Sequence, residues 1–135
     1  MSLPAREVVT RILQASLDQD IDGFVALLAP DAHLEWPYRP PGAPAGLRGR
    51  TEIRAHLAQV AGTFVRFDRH RDVVMHETLD PEVIIVEYEA DGTLIPTGAP
   101  FRQTVISVWR VRDGQVVFCR DYINPLPLIE AHAGR

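Results

Sequence analysis

The sequence predicts an α+β fold in which three N-terminal helices pack on a strongly bent, mostly antiparallel sheet and enclose a cavity. Two patterns and one turn predict it. Apolar residues recur at helical spacing early in the chain and alternate at strand spacing in the second half. Asp113-Gly114 lies between two valine-rich runs, which is typical of a tight hairpin. A ferredoxin-like dimeric barrel would need its helices spread between strand pairs, and here they come first.

The first two helices are predicted from apolar spacing and from their terminal residues. A helix over 4–18 has Pro4 in its first turn, where proline is tolerated. Asp20 is a suitable N-cap for a second, short helix, and Pro30 is expected to end it.

A strand and a third helix complete the first half. Alternation over 32–38 places Leu34, Trp36 and Tyr38 on one face of a half-buried strand. Residues 37–46 hold four prolines and two glycines, which predicts a stiff loop. The third helix is predicted from about Thr51 to Ala61, and His56 falls inside its apolar stripe.

Four strands are predicted in the second half, as an antiparallel meander. Their ranges are 64–77, 82–90, 100–112 and 115–124. The expected breaks between them are Asp80-Pro81, Asp91-Gly92 and Asp113-Gly114.

Composition excludes several classes of function. The chain has 135 residues, which is the size of a single domain over 1–135, and a net charge of −4, which disfavours nucleic-acid binding. All 14 basic residues are arginine, so Schiff-base and P-loop chemistry, which need lysine, are absent. The single Cys119 cannot form an intrachain disulfide. We expect a cytoplasmic protein with no signal peptide, no membrane span and no membrane partner.

Asp121 and His56 are the predicted catalytic residues. Asp121 shares a strand face with Val117, Cys119 and Ile123, and apolar neighbours raise a carboxyl pKa towards the range useful in acid/base catalysis. His56 could face Asp121 across the cavity and shuttle protons. The alternative for Asp121 is a structural ion pair with an arginine such as Arg102. The alternative for His56 is a histidine that simply packs in the core.

Four residues are candidates for substrate binding. Trp36 and Tyr38 would line a pocket for a small hydrophobic or aromatic metabolite, or would simply pack in the core. Glu87 lies on a strand whose cavity-facing side the sequence does not determine. Gln103 alternates inward and could orient a polar group of the substrate.

The arginines and histidines of residues 66–76 alternate with aspartates, which predicts cross-strand ion pairs on a solvated or dimer-facing strand. His70 and His76 are expected on one strand face, but about 20 Å apart by strand rise, too far to share a metal ion. No other spacing predicts a metal site.

Three stretches resemble the nuclear transport factor 2-like superfamily, in particular its SnoaL-like branch: DGFVALLAPDAHLEWPY, LRGRTEIRAHL and VRDGQVVFCRDYINPL. The resemblance covers nearly the whole chain and implies the cystatin-like, or nuclear transport factor 2-like, cone. This branch includes SnoaL-like polyketide cyclases, ketosteroid isomerases, phenazine-biosynthesis A/B proteins and limonene epoxide hydrolases. Since these share one scaffold, the resemblance is specific for fold and weak for function.

The resemblance supports only part of each family chemistry. Trp36 stands where ketosteroid isomerases have a catalytic aspartate, and Ile12 where they have an oxyanion-hole tyrosine. Asp121 matches the triad aspartate of limonene epoxide hydrolases, but 86–89 lacks their arginine. The run 120–125 resembles the phenazine A/B run, which has glutamate in place of Asp121.

Together these observations favour a cofactor-independent acid/base enzyme acting on a small hydrophobic cyclic metabolite. The reaction would be isomerisation, cyclisation, dehydration or epoxide opening, in a setting such as secondary metabolism. The alternative is a non-catalytic small-molecule-binding or subunit-association module of the same fold. Either form is expected to be a homodimer, because the outer face of a cone-shaped sheet is apolar and needs covering.

Overall fold

The computed structural model describes residues 2–133, and within that range the chain forms four helices and six strands. In chain order they are α1 (Ala5–Leu17), α2 (Ile21–Ala26), β1 (Leu28–Glu35), β2 (Gly46–Arg48), α3 (Arg50–Val60), β3 (Val65–Glu77), β4 (Val83–Leu94), β5 (Pro100–Arg112), β6 (Gln115–Ile123) and α4 (Leu126–Ala133).

The strands form one curled, unclosed sheet in the order β2-β1-β6-β5-β4-β3. Strands β3 to β6 form the predicted antiparallel meander, and β1 joins it by parallel pairing with β6. The α+β prediction, with three N-terminal helices and a bent, mostly antiparallel sheet, is confirmed.

The core lies between α1 and the concave face of the sheet. Val8, Val9 and Ile12 are fully buried on one side of α1, and they belong to the same cluster as Val86 and Trp109 on the sheet. Full burial of each such aliphatic side chain contributes about 1.5 to 3 kcal/mol. This packing holds the helices over the concave face and thereby positions the site described below.

The boundary between α2 and β1 differs from the prediction. Asp20 caps α2 as expected, because its carboxylate accepts a hydrogen bond from the amide of Gly23 at 2.9 Å. The helix nevertheless ends at Ala26, and Pro30 lies inside β1. Its missing N–H is tolerated because the pairing of β1 with β6 is irregular between Leu28 and His33.

Strand β1 is shorter at its far end than predicted. It stops at Glu35, because Pro37 cannot supply the next ladder donor. The amide of Trp36 bonds the carbonyl of Ala45 at 2.9 Å, so the proline-rich loop folds back to form β2, which the sequence pattern did not reveal.

The predicted break at Asp91-Gly92 is wrong. Both residues lie within β4, and the chain turns after Leu94, whose amide bonds the carbonyl of Ala99 at 2.8 Å. Gly92 is there because the strands approach closely: a Cβ at this position would lie 2.4 Å from the carbonyl oxygen of Arg66.

The C-terminal segment forms a further helix, α4. The Asn124 side chain accepts a hydrogen bond from the amide of Leu126 at 3.1 Å, and Pro127 lies in the first turn, where proline costs little. Within residues 2–133, no helix has the length and hydropathy needed to cross a membrane.

Candidate active site

The candidate site centres on the carboxyl group of Asp121, on the concave face of β6. Register pairs Asp121 with Ser107 of β5, and the Ser107 hydroxyl donates to Oδ1 at 2.6 Å. The indole nitrogen of Trp36, just beyond β1, donates to Oδ2 at 3.2 Å. Each carboxylate oxygen therefore accepts one hydrogen bond, Oδ1 from a residue of β5 and Oδ2 from the residue that follows β1.

The electrostatic environment of Asp121 is that of a desolvated acid. Burial raises its pKa above the usual range, and the hydrogen bonds from Ser107 and Trp36 partly oppose this. Protein atoms crowd the carboxyl on nearly every side, yet the residue keeps partial solvent exposure. The carboxyl is therefore largely removed from water.

No ion pair within residues 2–133 includes Asp121. Arg102, the partner considered from the sequence, instead lies 3.4 Å from Asp91 on the outer side of the sheet. The alternative in which Arg102 neutralises Asp121 is therefore wrong.

Two more titratable side chains face Asp121. Burial and the nearby negative charge of Asp121 raise the pKa of Tyr88 far above its ordinary value, and hydrogen bonding with Ser107 acts in the opposite direction. Burial and Asp121 likewise raise the pKa of the Cys119 thiol. Both groups therefore stay protonated at neutral pH, and Cys119 is a poor nucleophile.

A cleft of about 840 Å³ opens beside this cluster. Its walls come from the proline-rich loop, α3, the end of β6 and α4, and include Trp36, Arg39, His56, Gln59, Ile123 and Leu128. The volume is in the range of pockets that hold small metabolites.

Trp36 connects the cleft with Asp121. Its ring lines the cleft and lies 5.8 Å, between centroids, from the ring of His56. Asp121 does not line the cleft wall itself; it shares a face of β6 with Ile123, which does, and lies behind the Trp36 indole. The structure thus places Trp36 and His56 on the cleft wall and Asp121 behind Trp36.

Gln103 and Tyr38 lie elsewhere. Gln103 points inward as expected and is buried, but its amide donates to the carbonyl of Asn124 at 3.1 Å and it is not part of the cleft wall. Tyr38 is 60% exposed and its ring lies against Tyr122, so the prediction that it points inward with Trp36 is wrong. The cause is the early end of β1, after which the strand alternation no longer applies.

Glu87 is on the outer face of the sheet. Its carboxylate lies 2.6 Å from Nε2 of His76, and both side chains are about half exposed. The pocket role predicted for Glu87 is therefore wrong, because Tyr88, its neighbour, takes the concave side.

His70 and His76 do not share a strand face. The pairing of β3 with β4 shifts between Arg71 and Val74, where Asp72 has a positive φ of 55°. This bulge reverses the alternation of side chains along β3. The ring of His70 therefore lies 4.4 Å, between centroids, from the ring of Tyr88, while His76 faces outward. The charged residues around it form the predicted cross-strand pairs, with Arg69 and Arg71 on Asp91.

Sequence reasoning missed Ser107 and Tyr88 as members of the site. Alternation along β5 does place Ser107 inward. It is the one hydroxyl side chain among the inward positions of that strand, and this pattern could have identified it as a site residue. Tyr88 lies between two glutamates, and only the assignment of that strand's faces shows that it points towards Asp121.

Comparison with known proteins agrees with this architecture. Residues 9–118 match the model of the SnoaL-like domain. An uncharacterised PhzA/B-like protein of Pseudomonas aeruginosa is 38% identical over 131 residues, covering 96% of this chain and 91% of that protein.

Solved structures show the same fold. A proposed isomerase from Bacillus subtilis has 31% identity and a TM-score of 0.89, covering 97% of this chain and 94% of the other. A phenazine biosynthesis-related protein from Pseudomonas aeruginosa has 19% identity and a TM-score of 0.75, covering 96% and 84%, so it supports the fold alone. The chain therefore belongs to the SnoaL-like family and has the nuclear transport factor 2-like fold.

Proposed function

We propose that the protein is a cofactor-independent acid/base enzyme acting on a small hydrophobic cyclic metabolite, with Asp121 as the proton-transferring group. One observation carries the proposal: a desolvated carboxyl group, without a cationic partner in the described part of the chain, lies behind the wall of a cleft. Because its pKa is raised, such a carboxyl is better suited than a solvated one to take up a proton and return it.

The chemistry that suits this arrangement is proton abstraction next to a carbonyl group. With donors on both oxygens, the carboxylate form of Asp121 is the better satisfied one, so it acts first as a base. Returning the proton elsewhere on the ring gives isomerisation, and giving it to a neighbouring hydroxyl, which leaves as water, gives dehydration. In cyclisation the enolate attacks a second carbonyl carbon, and Asp121 returns the proton to the alkoxide that forms. In epoxide opening Asp121 would instead take a proton from the attacking water and return it to the ring oxygen released by C–O cleavage.

Substrate contacts would come from the cleft wall. The rings of Trp36 and His56 offer faces for a flat or cyclic ligand, and the loop prolines supply further apolar surface. His56 would be the second acid/base group, acting on a ligand atom on its side of Trp36. The Bacillus subtilis protein named as an isomerase, at 31% identity, supports isomerisation among these reactions.

A sensitive test is proton exchange, which does not require the product to be known. A panel of cyclic ketones with exchangeable α-protons is incubated in D₂O, and deuterium uptake is followed by NMR. We expect the wild type to accelerate exchange of at least one ketone and Asp121→Asn to reduce that rate by about 10² to 10⁴-fold. Glu7→Gln, on the exposed side of α1 and outside the cleft wall, is the matched control and should leave the exchange rate unchanged.

Equal exchange rates for the wild type and Asp121→Asn would contradict the proposal. Absence of acceleration across the panel, with ligand binding retained, would favour the alternative of a non-catalytic binding module. One observation speaks for that alternative: the Trp36 indole stands between the cleft and Asp121.

We further propose that the protein works as a cytoplasmic homodimer.

A further inference from the structure

We propose that the ligand of the cleft carries an apolar substituent, a short alkyl chain or a second ring, and that this substituent lies in a second pocket beside the cleft. The inference rests on the function proposed above and deepens it, because it names the class of cyclic metabolite. It concerns binding alone, so it can be tested without turnover.

The second pocket has a volume of about 210 Å³ and lies between the ends of α1 and α3, the helix α2 and the start of β3. Its walls are mostly apolar and include Phe24, Leu57, Val65 and Phe67. Each of these four side chains is only partly buried. The pocket is therefore a space that the packing of the surrounding elements does not fill.

The second pocket and the cleft meet at the last residue of α3. Val60 lines both spaces and is 44% exposed. The turn after α3 holds it in place, because its carbonyl accepts a hydrogen bond from the Thr63 amide at 3.2 Å and another from the Thr63 hydroxyl at 2.7 Å. At this point the two spaces are one residue apart, so a ligand bound in the cleft can extend past Val60 into the second pocket.

The two spaces differ in charge. The cleft wall includes Arg39, Glu52 and His56, which suit the polar groups of a ring. Within residues 2–133, no arginine or histidine lines the second pocket, and its one carboxylate, that of Asp20, already accepts the amide of Gly23 as the cap of α2. A polar group would give up water there for few partners, so an apolar group is the occupant that the second pocket favours.

The volume of the second pocket limits the size of the substituent. Because a dry apolar cavity of about 150 Å³ can hold a benzene molecule, a pocket of about 210 Å³ suits one six-membered ring or a chain of about four to six carbons. Each methylene group that moves from water into such a pocket should tighten binding about fourfold. The affinity of a homologous series therefore measures whether the pocket is used.

The experiment is an NMR binding titration with 3- and 4-alkylcyclohexanones whose chains run from methyl to heptyl. In the series that binds better, we expect the dissociation constant for the wild type to fall about fourfold with each added carbon and to level off near the fifth, when the pocket is full. An affinity that does not depend on chain length would overturn the proposal. So would a gain that continues through heptyl without levelling off, since that is typical of non-specific partitioning.

Ala61→Phe is designed to fill the second pocket from its rim. Ala61 is exposed, and it lines the second pocket but not the cleft. The variant should lose the dependence on chain length and keep the wild-type affinity for the methyl compound. Ala58→Phe adds the same ring to an exposed position of α3 outside both spaces, so it is the matched control and should keep the wild-type dependence.

Intermolecular nuclear Overhauser effects (NOEs) locate the chain in the wild type, so they do not depend on how any variant folds. The terminal methyl group of the bound pentyl compound should give NOEs to Val65 and Phe24, and its ring protons should give NOEs to Trp36. NOEs from that methyl group to Leu128, on the cleft wall, would place the chain in the cleft and overturn the proposal.

Failure of this proposal can be distinguished from failure of the proposed function. Binding that depends on chain length, without any acceleration of proton exchange, would leave the second pocket standing and remove the acid/base role of Asp121. Exchange that depends on Asp121, with no effect of chain length on binding, would do the reverse.

Discussion

At the scale of single residues, Asp121 should make stability fall as pH rises. Its pKa is raised in the fold, so the folded protein holds this proton more tightly than the unfolded chain does. Below the unfolded-state pKa of about 3.9, Asp121 is protonated in both states and does not lower the free energy of unfolding. As pH rises from there through the folded-state pKa, the free energy of unfolding falls. The loss is at most about 1.4 kcal/mol for each pH unit between those two values.

The measurement is the free energy of unfolding by urea, from pH 3 to pH 8, for the wild type and Asp121→Asn. An asparagine can accept from Trp36 and donate to Ser107, so the variant keeps both contacts without the charge. We expect the free energy of unfolding of the variant to increase relative to that of the wild type as pH rises. A difference that is constant with pH would show that folding does not raise the pKa of this carboxyl.

Asp91 supplies a control of opposite sign. Hydrogen bonds from Arg71 and Arg69 hold its pKa well below the usual range, so its contribution is present above the unfolded pKa and lost as pH falls. Asp91→Asn should therefore be less stable than the wild type near neutrality, with the gap closing in acid.

The sequence could identify Asp121 but not its partners. Strand alternation with Cys119 and Ile123 predicts that Asp121 points inward, and a family resemblance adds weight to it. That Ser107 lies opposite Asp121 depends on the register between two strands, which no single strand encodes. The same reason accounts for Tyr88, whose face follows from the pairing of β4 with β5, where Tyr88 lies opposite Val105.

At the scale of elements, Gly92 sets how closely β3 and β4 approach. An added Cβ would lie 2.4 Å from the backbone oxygen of Arg66, and backbone cannot rotate away as a side chain can. We expect Gly92→Ala to lower the free energy of unfolding by about 2 kcal/mol or more. Urea unfolding followed by circular dichroism measures this.

Gly98→Ala is the matched control, because it adds the same methyl group where no atom lies within 4 Å. Its positive φ of 74° should cost about 1 kcal/mol through backbone strain alone. If Gly98→Ala proved as destabilising as Gly92→Ala, close strand approach would not be what requires glycine at 92.

Elements with strong periodicity were predicted well, and those determined by pairing were not. The helix α1 and the four-stranded meander follow from spacing alone. Pro30 and Gly92 were predicted to end elements, yet each lies inside a strand. Pro30 fits because the pairing of β1 with β6 is irregular there, and Gly92 fits because the backbone of β3 leaves no room for a side chain. Strand β2 is three residues long and exists only because β1 is beside it.

At the scale of the whole molecule, the outer face of the sheet exposes two aliphatic side chains on either side of a glutamate. Register places Val74 opposite Glu87 and Glu87 opposite Ile106, so the three share this face. Val74 is 48% exposed and Ile106 42% exposed. Exposed aliphatic side chains in one row are typical of a surface that is covered in the assembled protein.

We expect a second copy of the chain to cover that face, because a two-fold pairing places the same row against itself and needs no other partner. Sedimentation velocity should then show a dimer for the wild type and a monomer for Ile106→Glu, which buries a charge at the proposed contact next to Glu87. Leu79→Glu is the control: Leu79 is fully exposed in the turn before β4, so the variant should remain dimeric. A monomeric wild type, or a dimer that survives Ile106→Glu, would mean that this face is not the interface between two copies of the chain.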